Sequence, residues 1–477
     1  MLPFVDNCDE VGYSRQTAAI RTDGQLHRTV LSSPAGHTPI RACRSAALWV
    51  LTLAAVFAVA QLANVTGRDT PDSKNYLAYA LSLRGEGKQE TAATVIDYTC
   101  QGLASRANHA QSVDVLKFQR PSPGALAKAR CQAELWGEVN TRLQAGQSGG
   151  HTLPFTSQRF MRIFEVRPGY PVLLVPFVSF FGAGWGMWSA GVFLTVLGGV
   201  LVFLILRTQQ LPVLIALIGQ SLYYVLPCGT TAMRPMAEGL MLVLSLTAVW
   251  GCTLLLNGRT VHGIACVAGA LLALFTVKHS QALFLGVCLA AASAAIALWR
   301  SRRGKSPRHV LWFTAAVASS VAIGTLLAAR ALHYPSETDS LQDLLTNHYA
   351  LPDRDHPWRE FFDLETQFWA EWFRQQMRQP LFIALLTAGL WGVLLRHRPF
   401  GILVTAAALT GFLTQAAHPD ITVWGERLIV MAWLLPVLGV PALLHEMHRR
   451  LPVEEDIPEP RVAVAGTRKL SGRSSRV

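Results

Sequence analysis

Two carboxylates in "GRDTPDSKNY", Asp69 and Asp72, stand a few residues beyond an unbroken apolar run. Pro71 fits the first position of a helix, with Thr70 as its N-cap, and Gly85 and Gly87 close that element. Asp72 then falls in the first turn, with Tyr76 one turn further on the same face. A carboxylate there meets the positive end of the helix dipole, while Asp69 sits just before the cap, nearer the apolar run. Acids in this setting can accept a proton from a hydroxyl; the plainer reading is a helix-start acid and a solvated loop charge. Other chemistry-bearing groups are more scattered. "NHYALPDRDHPWRE" holds His348, Asp353, Asp355, His356 and Glu360, and "AAHPDITVWGER" holds His418, Asp420 and Glu426. Neither has the ligand spacing of a metal motif, so both read first as solvated loops. Glu238 lies one turn from Arg234 and is expected to pair with it.

The elements that must position these groups are membrane helices. The chain has 477 residues, 51% hydrophobic and 15% charged, with a mean hydropathy of +0.30. Soluble domains carry about 25% charged residues, and here the apolar residues cluster in long blocks. "AALWVLTLAAVFAVAQLANV" (46–65) is long enough to cross a hydrocarbon core of ~30 Å. Further blocks follow at 185–206, 211–226, 236–256, 260–277, 281–299, 309–330, 380–395, 399–416 and 428–445. The fold class expected is therefore an all-α polytopic membrane protein of about ten spans, ten or eleven, with both termini cytoplasmic. "GYPVLLVPFVSFFGAG" (169–184) is short for a crossing and carries Pro171 and Pro176, so it reads as a re-entrant or interfacial helix.

Basic residues support that orientation. Arg207, Arg259, the "RSRRGKSPR" turn, Arg396 and Arg398 fall on one side, and only Arg234, Lys278 and Arg427 on the short turns of the other. The net charge of +12 is thus spread between apolar blocks and in the tails, which argues against a nucleic-acid partner. The first apolar block is too long for a signal-peptide core. The Arg- and Ala-rich composition points to a GC-rich bacterial genome and hence to its plasma membrane.

Residues 1–45 and 446–477 read as polar cytoplasmic tails, mostly disordered, around a transmembrane domain at 46–445. The first external loop, 66–184, is far longer than an ordinary connection and reads as functional or as a small domain. Within it, Leu126, Ala129, Ala133, Trp136, Val139 and Leu143 recur at threes and fours, one apolar face suited to a bilayer or a neighbour. Cys100 and Cys131 share this loop and form a candidate disulfide if it is extracytoplasmic. Cys228, Cys252, Cys266 and Cys288 lie in or beside apolar blocks as small hydrophobes, and Cys8 and Cys43 lie in the tail. A second external loop, 331–379, carries Phe361, Phe362, Phe368, Trp369, Trp372, Phe373 and Met377 at helical spacing, an aromatic helix for the headgroup level.

"PDSKNYLAYA" after the first span, then "RPGYPVLLVPF" about a hundred residues on, resembles the GT-C superfamily of polytopic glycosyltransferases. "MRPMAEGLMLVLSL" (233–246) and "GERLIVMAWLLPVLGVP" (425–441) are similar to later segments of bacterial members. The resemblance implies a sugar carried on a polyprenyl phosphate, transferred with inversion to a lipid, glycan or protein acceptor. Asp72, or else Asp69, would be the general base. Arg167, Arg427, Arg234 and Lys278 are the candidates to hold the donor phosphate, with Tyr76, Tyr170, Glu238 and His279 lining the substrate pocket. Some members bind a divalent ion, magnesium or manganese, so the resemblance leaves a metal open; no residue is assigned to one. The departures are the spacing Asp-x-x-Asp in place of a paired Asp-Glu, and Arg-Pro-Gly in place of a basic-Pro-Pro stretch. The rival expectation is a non-catalytic membrane protein, a transporter or envelope-assembly factor. A transporter would carry ionisable residues mid-span, and these spans are almost free of them.

Overall fold

The computed structural model describes residues 39–304, 309–423 and 425–450. The tails expected at 1–45 and 446–477, with Cys8, lie almost wholly outside the described residues, as do residues 305–308 of the basic turn. Where the tails are described they are helical: α1 (Pro39–Gln61) begins before residue 45, and the last helix runs to Arg450.

Among the described residues all regular structure is helical. After α1 come four helices of the first loop: α2 (Ser73–Leu83), α3 (Lys88–Ser112), α4 (Gly124–Gln144) and α5 (Gln158–Glu165). The bundle continues with α6 (Gly169–Thr208), α7 (Val213–Val225), α8 (Pro227–Met233), α9 (Ala237–Leu256), α10 (Thr260–Val277), α11 (His279–Arg302) and α12 (His309–Ala331). The second loop holds α13 (Glu337–Leu345) and α14 (Pro357–Arg378), and α15 (Leu381–Arg396), α16 (Arg398–Ala416) and α17 (Leu434–Arg450) complete the described helices. Among the described residues eight helices are long and apolar enough to cross a membrane, or ten if two bent pairs each count as one span. The protein is membrane-embedded and multi-pass. The bent pairs are α7 with α8, at 54°, and α14 with α15, at 89°. That right angle lays α14 across the end of the bundle, with Phe368 and Trp372 buried and Phe362 and Phe373 exposed.

The apolar sequence explains the spans, and small or amide residues explain how they join. Gly389 and Gly392 of α15 meet the backbone of α17 at Leu435 and Gly439, an approach that any side chain would block. Gln281 of α11 donates to Thr410 Oγ1 of α16 at 2.9 Å and accepts from Thr414 Oγ1 at 3.1 Å, satisfying a buried amide where lipid offers no partner. In α6, Gly182 has φ 73° and ψ 177°, a conformation open essentially to glycine. The chain reverses there: Phe177 and Phe193 bring their ring centroids to 5.6 Å, and Gly186 abuts the backbone at Val178. The stretch 169–181 is thus a separate limb folded back on the span at 183–208.

Basic turns and large loops sort to opposite ends. Arg396 donates to Gln209 O at 2.8 Å and pairs with Glu446 at 3.0 Å, and Asn257 donates to Thr208 O, so these turns share one end. At the other end the two loops dock. Arg159 of α5 bonds Asp339 at 2.7 Å and Asp353 at 2.8 Å, and Arg162 donates to His333 O at 3.0 Å. Cys100 and Cys131 form a disulfide between α3 and α4, Cα to Cα 5.5 Å. The apolar face expected on α4 is packed only in its second half: Val139 is buried and Trp136 and Leu143 pack beside it, while Leu126, Ala129 and Ala133 are exposed and Cys131 is the buried residue there. In the first half of α4 the disulfide at Cys131 is the contact with α3.

Candidate active site

The two acids that open the first loop face different surroundings. Helix α2 starts at Ser73, two residues later than Pro71 suggests, because Ser73 closes the turn itself: its Oγ accepts from Thr70 N at 2.8 Å and donates to Pro235 O at 2.9 Å. That last bond ties the start of α2 to the turn before α9. Asp72 therefore occupies the N-cap position yet caps nothing, and its carboxylate reaches across to the guanidinium of Arg427. Asp69 turns the other way. Its carboxylate, 5% exposed, pairs with Arg106 of α3 and rests on Gly102, where any side chain would displace it. It borders a cavity of about 260 Å³ with Thr66, Thr94, Tyr98 and Gln101, distinct from the surroundings of Asp72.

Around Asp72 four further segments converge. Arg427, in the turn before α17, donates from Nε to Glu238 Oε1 at 2.9 Å. Lys278, at the break between α10 and α11, lies 3.7 Å from the same oxygen. Glu238 is thus held between two cations, not by Arg234; Arg234 pairs instead with Glu426 at 2.5 Å on the rim, where Arg234 is half-buried and Glu426 exposed. Carboxylates on both sides raise the Arg427 pKa further above its ordinary value, Glu238 more than Asp72, against the opposing effect of burial. Arg167 enters because Gly169 packs on Thr276 and Val277 at the end of α10. It lies within electrostatic reach of Tyr76 and Lys278, and its Nε is buried with no acceptor. No ion pair involving Arg167 occurs among the described residues.

Aromatic rings floor the cluster. Tyr76, 2% exposed, meets Tyr170 edge-on at 5.2 Å and Phe164 at 5.4 Å. Burial pushes the Tyr76 pKa up, so the hydroxyl stays protonated. The hydroxyl of Tyr170 and Nδ1 of His279 are buried without partners, and His279 stands edge-on to Tyr334 at 5.3 Å. Of the residues assigned from sequence, the structure brings together Asp72, Arg167, Glu238, Lys278, His279, Arg427, Tyr76 and Tyr170; Asp69 and Arg234 stand apart.

The second loop adds groups that spacing did not single out as a pair. Asp343 Oδ1 lies 3.1 Å from His348 Nδ1, and Phe160 lies 4.5 Å from the His348 ring. The hydrogen bond to Asp343 raises the His348 pKa, with burial opposing and Asp72 adding to the rise. Asn347, His348 and Tyr349 are all left-handed (φ 51°, 60° and 60°), a run that costs non-glycine residues energy. Tyr349 holds it, donating from its amide to Thr346 Oγ1 at 3.1 Å and from its hydroxyl to Asp339 O at 2.7 Å. His418, half-buried and with its pKa lowered chiefly by desolvation, lies within electrostatic reach of Asp343 and Arg427. The groups of 347–360 do not converge: Asp353 goes to Arg159, and Glu360 lies 3.6 Å from Arg354. No cluster of three His, Cys, Asp or Glu able to hold a metal occurs among the described residues.

Chemically, the site is two carboxylates beside three cations, one of them unpaired, over an aromatic floor. That arrangement can accept a proton and neutralise an anion within a few ångströms. Set against family models, curated proteins and solved structures, the chain has no significant match.

Proposed function

We propose that this chain is an integral-membrane glycosyltransferase of GT-C type, moving a sugar from a polyprenyl-phosphate donor to an acceptor on the extracytoplasmic face of a bacterial plasma membrane. The observation that carries the reading is the convergence of Asp72, Arg167, Glu238, Lys278 and Arg427. They come from five separate segments and gather where the large loops cover the bundle. In this reading Asp72 takes the proton of an acceptor hydroxyl as the new bond forms at the anomeric carbon. The bond from that carbon to the lipid phosphate breaks with inversion, and the polyprenyl phosphate leaves with the electron pair. A well-placed base supplies typically ~10²–10⁴-fold. Arg427, Lys278 and the unpaired Arg167 neutralise the departing phosphate, while Tyr76, Tyr170 and His279 line the sugar pocket.

One observation favours a second reading, a non-catalytic member of the same architecture: Asp72 and Glu238 are both already ion-paired, as in a purely structural network. The test that separates the two is incubation of the reconstituted protein with a panel of labelled polyprenyl-phosphate hexoses and pentoses, with and without magnesium, manganese or EDTA. Release of free polyprenyl phosphate supports transfer. Neither release nor binding of any panel member sinks it.

A further inference from the structure

The tip of the α3–α4 hairpin is unlike the rest of the first loop. Val113, Val115 and Leu116 are 81%, 83% and 84% exposed, and Phe118 is 57% exposed, all within six residues. The tip is nonetheless built. Asp114 Oδ1 accepts from the Leu116 amide at 2.9 Å and its carboxylate pairs with Lys117 at 3.3 Å, and Gln111 donates to Arg120 O and Pro121 O. A folded turn that holds its large apolar side chains outward marks an interaction surface.

Its position says what covers it. Just before the tip, α3 is fastened to the end of α1: Thr66 donates to Ser105 at 3.0 Å, and Arg106 reaches Gly67 O and Asp69. Helix α1 is the span least covered by protein, 11% buried, with Leu48, Leu51, Val56 and Val59 each more than 60% exposed. From Ser105 to the end of α3 the helix advances about 10 Å, so the tip stands within about that distance of the point where α1 ends. Between Arg106 and Arg130 the hairpin carries five basic residues against the single carboxylate Asp114; Arg106 is taken up by Asp69 and Lys128 by Asp97 at 2.8 Å, which leaves Lys117, Arg120 and Arg130 with Asp114 near the tip. Apolar side chains flanked by long cations suit an interface where acyl chains meet anionic headgroups.

We infer that the turn 113–118 inserts into the surface of the bilayer beside α1, with Lys117 and Arg120 engaging anionic phospholipid. The inference stands apart from the proposed reaction. The test is Leu116→Cys in the full chain, labelled with an environment-sensitive maleimide dye. The host vesicles hold equal parts phosphatidylglycerol and phosphatidylcholine, and unmodified protein is labelled in parallel to subtract native thiols. Gly149→Cys, on an open loop with no neighbour within 4 Å of an added Cβ, is the control. Brominated acyl chains should quench the dye at 116 several-fold more than at 149, and aqueous iodide should do the reverse. Adding Lys117→Glu and Arg120→Glu should cut the acyl-chain quenching on these vesicles at least two-fold. Equal iodide quenching at both positions overturns the inference. So does a dye shielded from both quenchers and cross-linked to a second protein chain.

Discussion

Glu238→Gln is the sharpest structural perturbation the site permits. The substitution keeps shape and removes one charge from a side chain that is 5% exposed, 2.9 Å from Arg427 and 3.7 Å from Lys278. At an effective dielectric of ~20, unit charges at those separations attract by about 6 and about 4.5 kcal/mol. Desolvation offsets much of this, and breaking a buried pair costs about 3–5 kcal/mol. The two cations are not stranded equally: Arg427 keeps Asp72, whereas Lys278 keeps no ion pair among the described residues. The expected loss is therefore at the low end, about 3 kcal/mol. Removing the stranded charge as well, in Glu238→Gln with Lys278→Met, should recover about 2 kcal/mol, within the range for residues in contact. Unfolding by SDS in mixed micelles, followed by tryptophan fluorescence, measures both. A Glu238→Gln loss below about 1 kcal/mol, or a double variant no better than the sum of its parts, would refute the buried clamp.

Three further outcomes follow from local features. Gly182→Ala meets no obstructing atom but must adopt φ 73°, so it should cost about 1–3 kcal/mol and open the α6 reversal; oxidative cross-linking of Phe177→Cys to Phe193→Cys should fall, and undiminished cross-linking counts against the strain argument. Reducing Cys100–Cys131, which closes a separation of 31 residues, should cost about 3–4 kcal/mol and make α3 and α4 protease-sensitive; an unchanged digestion pattern contradicts this. The His348 pKa is raised above 6.5 in the folded protein, so the pair with Asp343 stabilises fully below pH 6.5 and is lost as pH rises through the raised value. Protection from hydrogen exchange at 346–351, corrected for the intrinsic base-catalysed rate, should fall across that window, and Asp343→Asn should abolish that fall.

The spans were legible because hydrocarbon selects for long apolar runs: the blocks at 236–256, 260–277 and 399–416 match α9, α10 and α16 to within a residue or so. The reversal at 182 was half legible, since the short Pro-containing segment could not span, but the turn itself depends on one glycine's backbone. The site was legible as residue types and not as pairings. Glu238 has Arg234 one turn away, yet bonds Arg427, 189 residues on, because the start of α9 points into the bundle end while Arg234 points to its rim. Asp69 was drawn away from Asp72 by Arg106 and the space at Gly102, neither of which any local pattern marks. Periodicity placed the second half of α4, at Trp136, Val139 and Leu143, but not the first, where the contact with α3 is a covalent bond at Cys131. Long-range partners of this kind are decided by packing, and a periodicity argument carries no information about it.

The central claim is that Asp72 is the base and Asp69 a strut. Asp72→Asn and Asp69→Asn, reconstituted side by side and assayed for release of polyprenyl phosphate from a labelled lipid-linked sugar, test it directly. Asp72→Asn should lose about 10²–10⁴-fold in turnover at unchanged donor binding, while Asp69→Asn should stay within about ten-fold and lose stability instead. Full turnover by Asp72→Asn, or the larger loss falling on Asp69→Asn, would contradict the account.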